Sequence, residues 1–433
     1  MPTTIQVLGG TTIGGSAILV SVNGVNILID YGMDMDKSDR DSGVFAFPPI
    51  PEGIKIDFVC LTHAHMDHAA GIKELVSSYN PYFFASAPTM AFAEKLIRDT
   101  YRMKWYEQVT PNNRFKSAQP YVAYNVGKDC NATFYPNGHV KGSSSILLKT
   151  PDAKILVSGD LNDLDLPTVS GFKAEVIAEA SPDILFMEST YGNQIFPSRE
   201  AENRRLVAAV REVINPGGNV LIPSFAFGRS TDIALLLAKN GIHVNLDGMT
   251  IRMTRMMEQR DLLWGNDIRF DYSPYIHFVR DSSDVIRRKG QVVIASSGWC
   301  VGGKVMEYLL SWLPSSNNAV FFPGPFQKHL ALELLKPETQ EVLISYETRD
   351  HRGKKQPASE LVFKRARVEK FWLSSHADQN GLVKFAMASG AKTIVLQHGD
   401  SPAKIALKAR LEKEIPGITI KIAEENEIFT LTA

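Results

Sequence analysis

The sequence predicts an α/β protein with more than one domain. Over residues 5–160, short apolar stretches are separated by turn-forming pairs such as Asn23-Gly24, which is typical of strands in a sheet. Over residues 219–322, strand-like and helix-like stretches alternate, which indicates parallel strands joined by crossover helices. The length of 433 residues is enough for two or three domains, and the 44% hydrophobic content is ordinary for globular chains.

Individual elements can be predicted in order along the chain. Helical stretches near residues 68–79 and 89–100 interrupt the strands of the first part. An amphipathic helix is predicted over residues 199–215, because apolar residues recur at helical spacing, Ser198 suits the N-cap and Gly217 lies beyond the end. The elements predicted next are strands at 219–223, 243–247, 292–295 and 319–322, and helices at 230–239 and 304–311.

The densest group of metal-binding side chains follows the apolar stretch 56–61. His63, His65, Asp67 and His68 fall within six residues, although the chain has only ten histidines. A strand would deliver them to its carboxyl end, where sheet proteins usually place chemistry. Imidazole and carboxylate suit zinc or a similar ion, and four such groups exceed what one tetrahedral ion takes from a single turn. Two adjacent ions could instead share them.

The run resembles the His-x-His-x-Asp-His signature of the metallo-β-lactamase superfamily. Three other segments fit the order of that family's motifs, and each offers one further side chain. They are residues 25–32 with Asp30, residues 136–139 with His139, and residues 155–160 with Asp160. By itself a single Asp after a strand is more often a helix cap or a turn former, so it is the order and spacing of the set that is specific.

Segments farther along resemble the β-CASP nucleases, a branch of that superfamily. Residues 188–192, Glu-Ser-Thr-Tyr-Gly, resemble motif A, and His376 and His398 stand where motifs B and C have histidines. Residues 218–229 and 294–303 agree as well, so the likeness spans nearly the whole chain. It implies a metallo-β-lactamase αββα sandwich with an inserted α/β β-CASP domain.

The resemblance also implies domain boundaries. The metallo-β-lactamase domain would consist of two segments, residues 1–193 and residues 351–433. The β-CASP domain would occupy residues 194–350 between them. The polar run at residues 348–355 is either a turn or the return linker.

The resemblance implies two zinc ions per chain and a role for each motif residue. Asp160 would lie between the ions, and Asp30 would orient the histidine loop from behind. Glu188 would hold His376, which would protonate the departing sugar oxygen. Asp67 belongs to the catalytic set as well as to the ligands. One zinc would be bound by His63, His65 and His139, and the other by Asp67, His68 and His398.

Residues of the inserted domain are candidates for binding substrate. Small residues at 296–303 would let backbone N–H groups approach a phosphate, and Lys304 and Arg229 are candidate phosphate partners. The alternative is a strand-to-helix turn with no ligand. The small residues that we single out are Ser296, Ser297, Gly298 and Gly302.

The favoured function is hydrolysis of single-stranded RNA by two-metal activation of water, as an endoribonuclease, a 5′ exoribonuclease or both. DNA-processing members of the family tend to carry an aliphatic residue at motif C, so His398 favours RNA. The alternatives are a DNA-processing β-CASP nuclease and a non-catalytic partner subunit; the latter typically lacks metal ligands, and none is missing here. The insertion disfavours a small-molecule hydrolase.

Composition bears on the binding partners of the protein and on its location in the cell. The formal net charge of zero does not indicate nucleic-acid binding, which weighs mildly against a nuclease, although a cleft can bind phosphates locally. No apolar run has the length of a membrane span, and the N-terminus does not resemble a signal segment. Three cysteines without metal-site spacing indicate buried thiols in a reducing compartment, so we expect a cytoplasmic protein. A homo-oligomer is compatible with all of this.

Four histidines match no motif and are predicted to be structural or solvated. His329 is the one with an alternative, as a residue lining the substrate groove. The four are His243, His277, His329 and His351.

Overall fold

The structure is a computed structural model that describes residues 2–39, 42–104, 107–110, 113–271, 273–324, 328–349 and 355–431. The chain divides into two units, which are called unit 1 and unit 2 below. Unit 1 comprises Met1–Ile195, Arg260–Ile268 and Ser375–Ala433. Unit 2 comprises Phe196–Gln259 and Arg269–Ser374.

Strands and helices are numbered in chain order. The strands are β1 (Thr3–Gly9), β2 (Ala17–Val22), β3 (Val25–Ile29), β4 (Phe58–Cys60), β5 (Tyr82–Ala85), β6 (Phe115–Ser117), β7 (Ala123–Asn125), β8 (Asn131–Pro136), β9 (Ser144–Lys149), β10 (Lys154–Val157), β11 (Ile184–Glu188), β12 (Val220–Pro223), β13 (Val244–Asp247), β14 (Ile276–Phe278), β15 (Val292–Ala295), β16 (Ala319–Phe322), β17 (Glu341–Arg349), β18 (Lys355–Phe363), β19 (Arg367–Lys370), β20 (Thr393–Gln397), β21 (Thr419–Ile422) and β22 (Ile428–Leu431). The helices are α1 (Met66–Ala69), α2 (Ile72–Ser78), α3 (Ala87–Thr100), α4 (Ala174–Ala180), α5 (Arg199–Ile214), α6 (Arg229–Lys239), α7 (Met249–Met257), α8 (Ser282–Ile286), α9 (Val305–Trp312), α10 (His329–Leu335), α11 (Gln379–Ser389) and α12 (Ser401–Glu414).

Unit 1 contains two seven-stranded sheets, with orders β22-β1-β2-β3-β4-β5-β6 and β21-β20-β11-β10-β9-β8-β7. Alternating apolar residues of both sheets meet in one core, which includes Ile5, Ile27, Phe134 and Phe186. A second core packs α4, α11 and α12 against the sheet that contains β20. Strands β3 to β6 are parallel, so the helices between them cross over a face of their sheet. The predicted αββα sandwich is confirmed.

Unit 2 contains a six-stranded parallel sheet of order β14-β13-β15-β12-β16-β19. The predicted alternation of strands and helices is confirmed, and α5 begins where the sequence indicates, with the Ser198 side chain accepting a hydrogen bond from the N–H of Ala201. The sequence did not predict α7, α8 or β14. In a parallel α/β sheet, ligands bind at the carboxyl ends of the strands, so the loops after β12, β13 and β15 lie on the side where a ligand is expected.

The chain returns to unit 1 at Ser375 rather than at the predicted residue 351. Strand β18 pairs with β17 as an antiparallel hairpin, and β19 extends the six-stranded sheet of unit 2. At one end of the described hairpin Arg349 pairs with Lys355. Residues 350–354 of the polar run, including His351, lie outside the described residues.

A short segment of the inserted sequence, Arg260–Ile268, belongs to unit 1. The Trp264 side chain is buried there, and its indole N–H donates to the carbonyl of Ala118 at 2.7 Å. The backbone N–H of Gly142 donates to Asp267 at 2.9 Å. The predicted domain 194–350 is therefore interrupted, which no sequence pattern indicated.

None of the helices in the described part of the chain combines the length and the apolarity that crossing a membrane requires.

Candidate metal centre

The histidine loop follows β4, as the sequence predicts. His63 lies three residues after the strand, and His65 is the extended residue that precedes α1. Asp67 and His68 lie within α1. Gly32 allows this short helix to approach the chain after β3, because a Cβ at Gly32 would lie 1.6 Å from the carbonyl oxygen of Asp67. The loop and the strand end are thereby fixed against each other.

Asp30 holds the loop from behind. Its buried carboxylate accepts hydrogen bonds from the N–H of Thr62 at 2.7 Å, from the Thr62 hydroxyl at 2.7 Å and from Nδ1 of His68 at 2.8 Å. The Thr62 hydroxyl gives its one proton to Asp30, so it must accept from Nδ1 of His63, 3.1 Å away. Because Nδ1 is engaged in both rings, Nε2 is the nitrogen that His63 and His68 can each offer to a metal ion.

His139 is held by a residue distant in sequence. Its ring is fully buried after β8, and Nδ1 donates to the carbonyl of Ser375 at 2.9 Å. Its Nε2 lies 3.1 Å from Nδ1 of His65. Gly138, at φ +81°, makes the turn that positions His139, and a Cβ there would lie 2.5 Å from the carbonyl oxygen of Asn162.

Asp160 lies between two groups of ligands. Its Oδ2 is 3.5 Å from Nε2 of His63 and 3.6 Å from Nε2 of His139. Its Oδ1 is 3.4 Å from Nε2 of His68 and 3.3 Å from Nδ1 of His398. This buried Oδ1 makes no hydrogen bond within the described part of the chain. Burying a carboxylate oxygen without a hydrogen bond costs free energy, and a bound cation would offset that cost.

Two groups of four side chains could each hold an ion, and Asp160 belongs to both. The first group is His63, His65, His139 and Asp160, and the second is Asp67, His68, Asp160 and His398. In the second group, Nε2 of His398 lies 3.3 Å from Oδ2 of Asp67. The structure thus brings together all seven of the predicted ligands.

Distances within the first group fit a metal ion. Nδ1 of His65 lies 3.1 Å from Nε2 of both His63 and His139. Ligands of a tetrahedral zinc at about 2.0–2.1 Å are separated by roughly 3.3–3.4 Å. Burial lowers the pKa of His63 and His139 well below the usual range and that of His65 to about 4, so these rings are neutral, as ligands must be.

Charge is concentrated around Asp160. Burial opposes ionisation of this carboxyl, but His398 and His68 hold its pKa well below the usual range. Burial likewise opposes protonation of His68, whereas Asp160 and Asp30 raise its pKa well above the usual value. The acid and imidazole groups therefore compensate each other's charge in the protein.

His376 and Glu188 form a separate pair beside the two groups. Glu188 ends β11 and is buried, and it accepts a hydrogen bond from the N–H of Leu161 at 2.7 Å. Nδ1 of His376 lies 3.1 and 3.2 Å from the two carboxylate oxygens. Nε2 of His376 points to the centre, 3.9 Å from Oδ2 of Asp160. The side chain of His376 is 15% exposed, whereas that of His139 is 0% exposed.

The candidate substrate residues all lie in unit 2. Ser297 closes the loop after β15, because its N–H and its hydroxyl both donate to the carbonyl of Gly302 at 3.2 Å. A Cβ at Gly298 would lie 3.0 Å from the N atom of Phe225 in the loop after β12. Ser296 precedes this closed loop, and Arg229 is the first residue of α6.

Lys304 is already engaged by neighbours in unit 2. Its ammonium donates to the hydroxyl of Ser282 at 3.0 Å and to Glu307 at 2.8 Å. The sequence pattern missed both partners, although the three-residue spacing to Glu307 on a helix is a signal for such a pair.

Residues outside the motifs behave mostly as predicted. Cys60, Cys130 and Cys300 are buried and free, as expected. His243 and His277 are exposed, and their ring nitrogens lie 2.9 Å apart, a pairing that the sequence did not indicate. His329 lies beside Trp299, with ring centroids 5.9 Å apart.

Three family models match successive parts of the chain. Residues 10–162 match the metallo-β-lactamase superfamily, residues 233–329 match the β-CASP domain, and residues 363–423 match the Zn-dependent metallo-hydrolase RNA specificity domain.

Similar proteins of known name come from archaea and eukaryotes. RNase aCSPSF2 of Saccharolobus solfataricus is 27% identical over 98% of this chain and 84% of its own length. Cleavage and polyadenylation specificity factor subunit 3-II of Arabidopsis thaliana is 27% identical over 94% of this chain and 69% of its own. The probable RNase MJ4 of Methanocaldococcus jannaschii is 25% identical over 96% and 97%, respectively.

The fold is shared with a solved structure over the full length of both chains. A crystal structure of a protein of unknown function from Enterococcus faecalis V583 matches with a TM-score of 0.60 and 15% identity, and the match covers 100% of both chains. At that identity the likeness concerns the fold alone.

Proposed function

We propose that this chain, which belongs to the β-CASP branch of the metallo-β-lactamase superfamily, is a zinc-dependent ribonuclease acting on single-stranded RNA. The observation that carries the proposal is the position of Asp160, which has one carboxylate oxygen toward each of two groups of ligands. The RNase-named relatives and the match to an RNA specificity domain support RNA as the substrate.

Two zinc ions per chain fit the ligands. One would be held by His63, His65 and His139, and Asp160 would complete both sites. Asp67, His68 and His398 would hold the other ion. When bound, such a pair of ions lowers the pKa of water toward neutrality and neutralises charge on a phosphate.

Two residues of the chain, His376 and Glu188, would act together to protonate the leaving group. Glu188 is fixed by Leu161 and accepts the Nδ1 proton of His376, which leaves Nε2 directed to the centre. A proton on Nε2 can pass to the sugar oxygen as the phosphorus–oxygen bond breaks, and the ring is left neutral. His376 is partly exposed and so can be reprotonated from solvent between turnovers.

Asp30 acts through other residues, so its replacement tests positioning. Asp30→Ala should weaken zinc binding about 10–100-fold, because His68 and Thr62 lose their shared acceptor. Competition with a chromophoric chelator measures this affinity. Asp57→Ala is the matched control, since that carboxylate accepts from the backbone N–H of Asn26 instead. Equal zinc affinities in the two variants would show that Asp30 does not support the metal centre.

The choice of substrate has its own test. Zinc-loaded protein should cleave unstructured RNA much faster than DNA of the same sequence and should leave hairpin stems largely intact. End-labelled substrates and product ladders measure this, and a chelator should stop all cleavage. Faster cleavage of DNA would assign the chain to DNA processing, and no cleavage of either by metal-loaded protein would favour a non-catalytic partner subunit.

Location and assembly are secondary parts of the proposal. Three free, buried cysteines support a reducing compartment such as the cytoplasm. A homo-oligomer stays a prediction, which a molar-mass measurement in solution tests.

A further inference from the structure

Unit 2 contains a cavity that no motif accounts for. It has a volume of about 530 Å³ and lies between α7 and the edge strand β14. That volume falls within the roughly 300–1,000 Å³ of small-ligand sites. Its lining includes the apolar side chains of Ile251, Ile276 and Val279 and the polar ones of Arg255, His277 and Arg280.

Two guanidinium groups of this lining have no counter-charge among the residues that the structure describes. Arg255 and Arg280 are exposed, and neither forms an ion pair with a carboxylate of the described residues. By contrast, Arg205, Arg287 and Arg367 each pair with a carboxylate within 2.6–2.8 Å. No Asp or Glu is among the described residues that line the cavity. In a chain with a net charge of zero, this is a local excess of positive charge.

Flat side chains accompany the two arginines. The guanidinium of Arg255 lies over the ring of Phe278, 4.5 Å from its centroid. Beside it, the rings of His277 and His243 are stacked, with centroids 5.1 Å apart and an interplanar angle of 16°. Arginine and aromatic faces are the surfaces on which unstacked bases lie in complexes with single strands.

We propose that this cavity, the Arg255–Arg280 pocket, binds a phosphodiester of single-stranded RNA and stacks an adjacent base on Phe278 or His277. Guanidinium groups match phosphate oxygens with paired hydrogen bonds, and two of them can bind one or two backbone phosphates. The pocket lies apart in sequence from the loops after β12 and β15 that hold the other substrate candidates. This inference rests on the proposed function, because it takes RNA to be the ligand.

The test compares RNA binding by metal-loaded, full-length variants. The probe is a 5′-fluorescein-labelled oligouridylate of about 20 nucleotides, titrated by fluorescence anisotropy at 4 °C and checked on a gel for intactness. The Arg255→Ala/Arg280→Ala protein should bind roughly 10-fold more weakly, and its log–log salt slope should be shallower by about 0.7 for each phosphate that the variant no longer binds. Lys239→Ala/Lys413→Ala also removes two exposed charges, outside the lining, and should change the Kd less than twofold.

Two further measurements separate the possible failures. Arg255→Lys/Arg280→Lys keeps the charge but loses the planar fork, so it should bind with intermediate affinity. Equal affinity and equal salt slope for wild type and Arg255→Ala/Arg280→Ala would overturn the pocket, even if the protein cleaves RNA. Weakened binding by that variant, with no cleavage by wild type, would uphold the pocket and reject the ribonuclease. If the chain is a ribonuclease and the pocket binds RNA, the Arg255→Ala/Arg280→Ala variant should have a higher KM for RNA than wild type, with a kcat within about twofold.

Discussion

Asp160→Ala is expected to abolish hydrolysis and to remove both metal ions together. The Asp160 carboxylate is the one group shared by the two ligand sets, and its loss leaves the facing rings of His63 and His68 without the charge that compensates a cation. A contribution of several kcal/mol from the ions corresponds to a fall in rate on the order of 10³-fold or more. Elemental analysis should give close to two zinc ions per chain for wild type and far less for the variant.

Two comparisons make this result specific. Asp165→Ala is the matched control, because Asp165 lies in the same loop after β10 with its side chain 67% exposed, and it should retain zinc and activity. Asp160→Asn keeps the shape of the side chain without its charge, so it should resemble Asp160→Ala. Full zinc content in Asp160→Ala, with a rate within tenfold of wild type, would contradict the shared position of this residue.

The grouping of the candidate ligands was predictable because these side chains lie in short motifs that follow strands. His63, His65 and His68 lie in one short segment after β4, and a strand end determines where such a segment lies. The hydrogen bonds that orient the rings were not predictable. Nδ1 of His139 donates to the carbonyl of Ser375, 236 residues away, and a backbone carbonyl leaves no trace in the residue type. Thr62 is similar, since its role depends on where its single hydroxyl proton points.

The domain boundaries are a second feature that could not be predicted from the sequence. Strands β18 and β19 were not predicted, and their residues do not specify which sheet they join, because pairing depends on neighbours across the sheet. The boundary was therefore predicted at residue 351, whereas unit 1 resumes at Ser375. The segment Arg260–Ile268 belongs to unit 1 for a related reason, since Trp264 is buried by tertiary contacts and not by a local pattern.

His376→Ala is expected to lower kcat by roughly 10²–10⁴-fold while the zinc content stays near that of wild type. The reason is geometric: Glu188 fixes Nδ1, and Nε2 is directed to the centre from a partly exposed position. Glu188→Gln should have a smaller effect in the same direction, because the amide oxygen can still accept the Nδ1 proton without supplying charge. Single-turnover cleavage of RNA, with elemental analysis of each variant, measures both effects.

A substrate with a good leaving group distinguishes an acid from a ligand. An aryl phosphodiester releases a stable anion that needs no proton, so His376→Ala should hydrolyse it at nearly the wild-type rate if the ring acts as the acid. His376 also lies with Asp160 and Glu188 in a third group that could hold an ion. If His376 is a ligand, its removal should lower zinc content and slow both substrates equally. Loss of RNA cleavage alone, with zinc retained, identifies His376 as the proton donor and leaves the metals to the seven other residues.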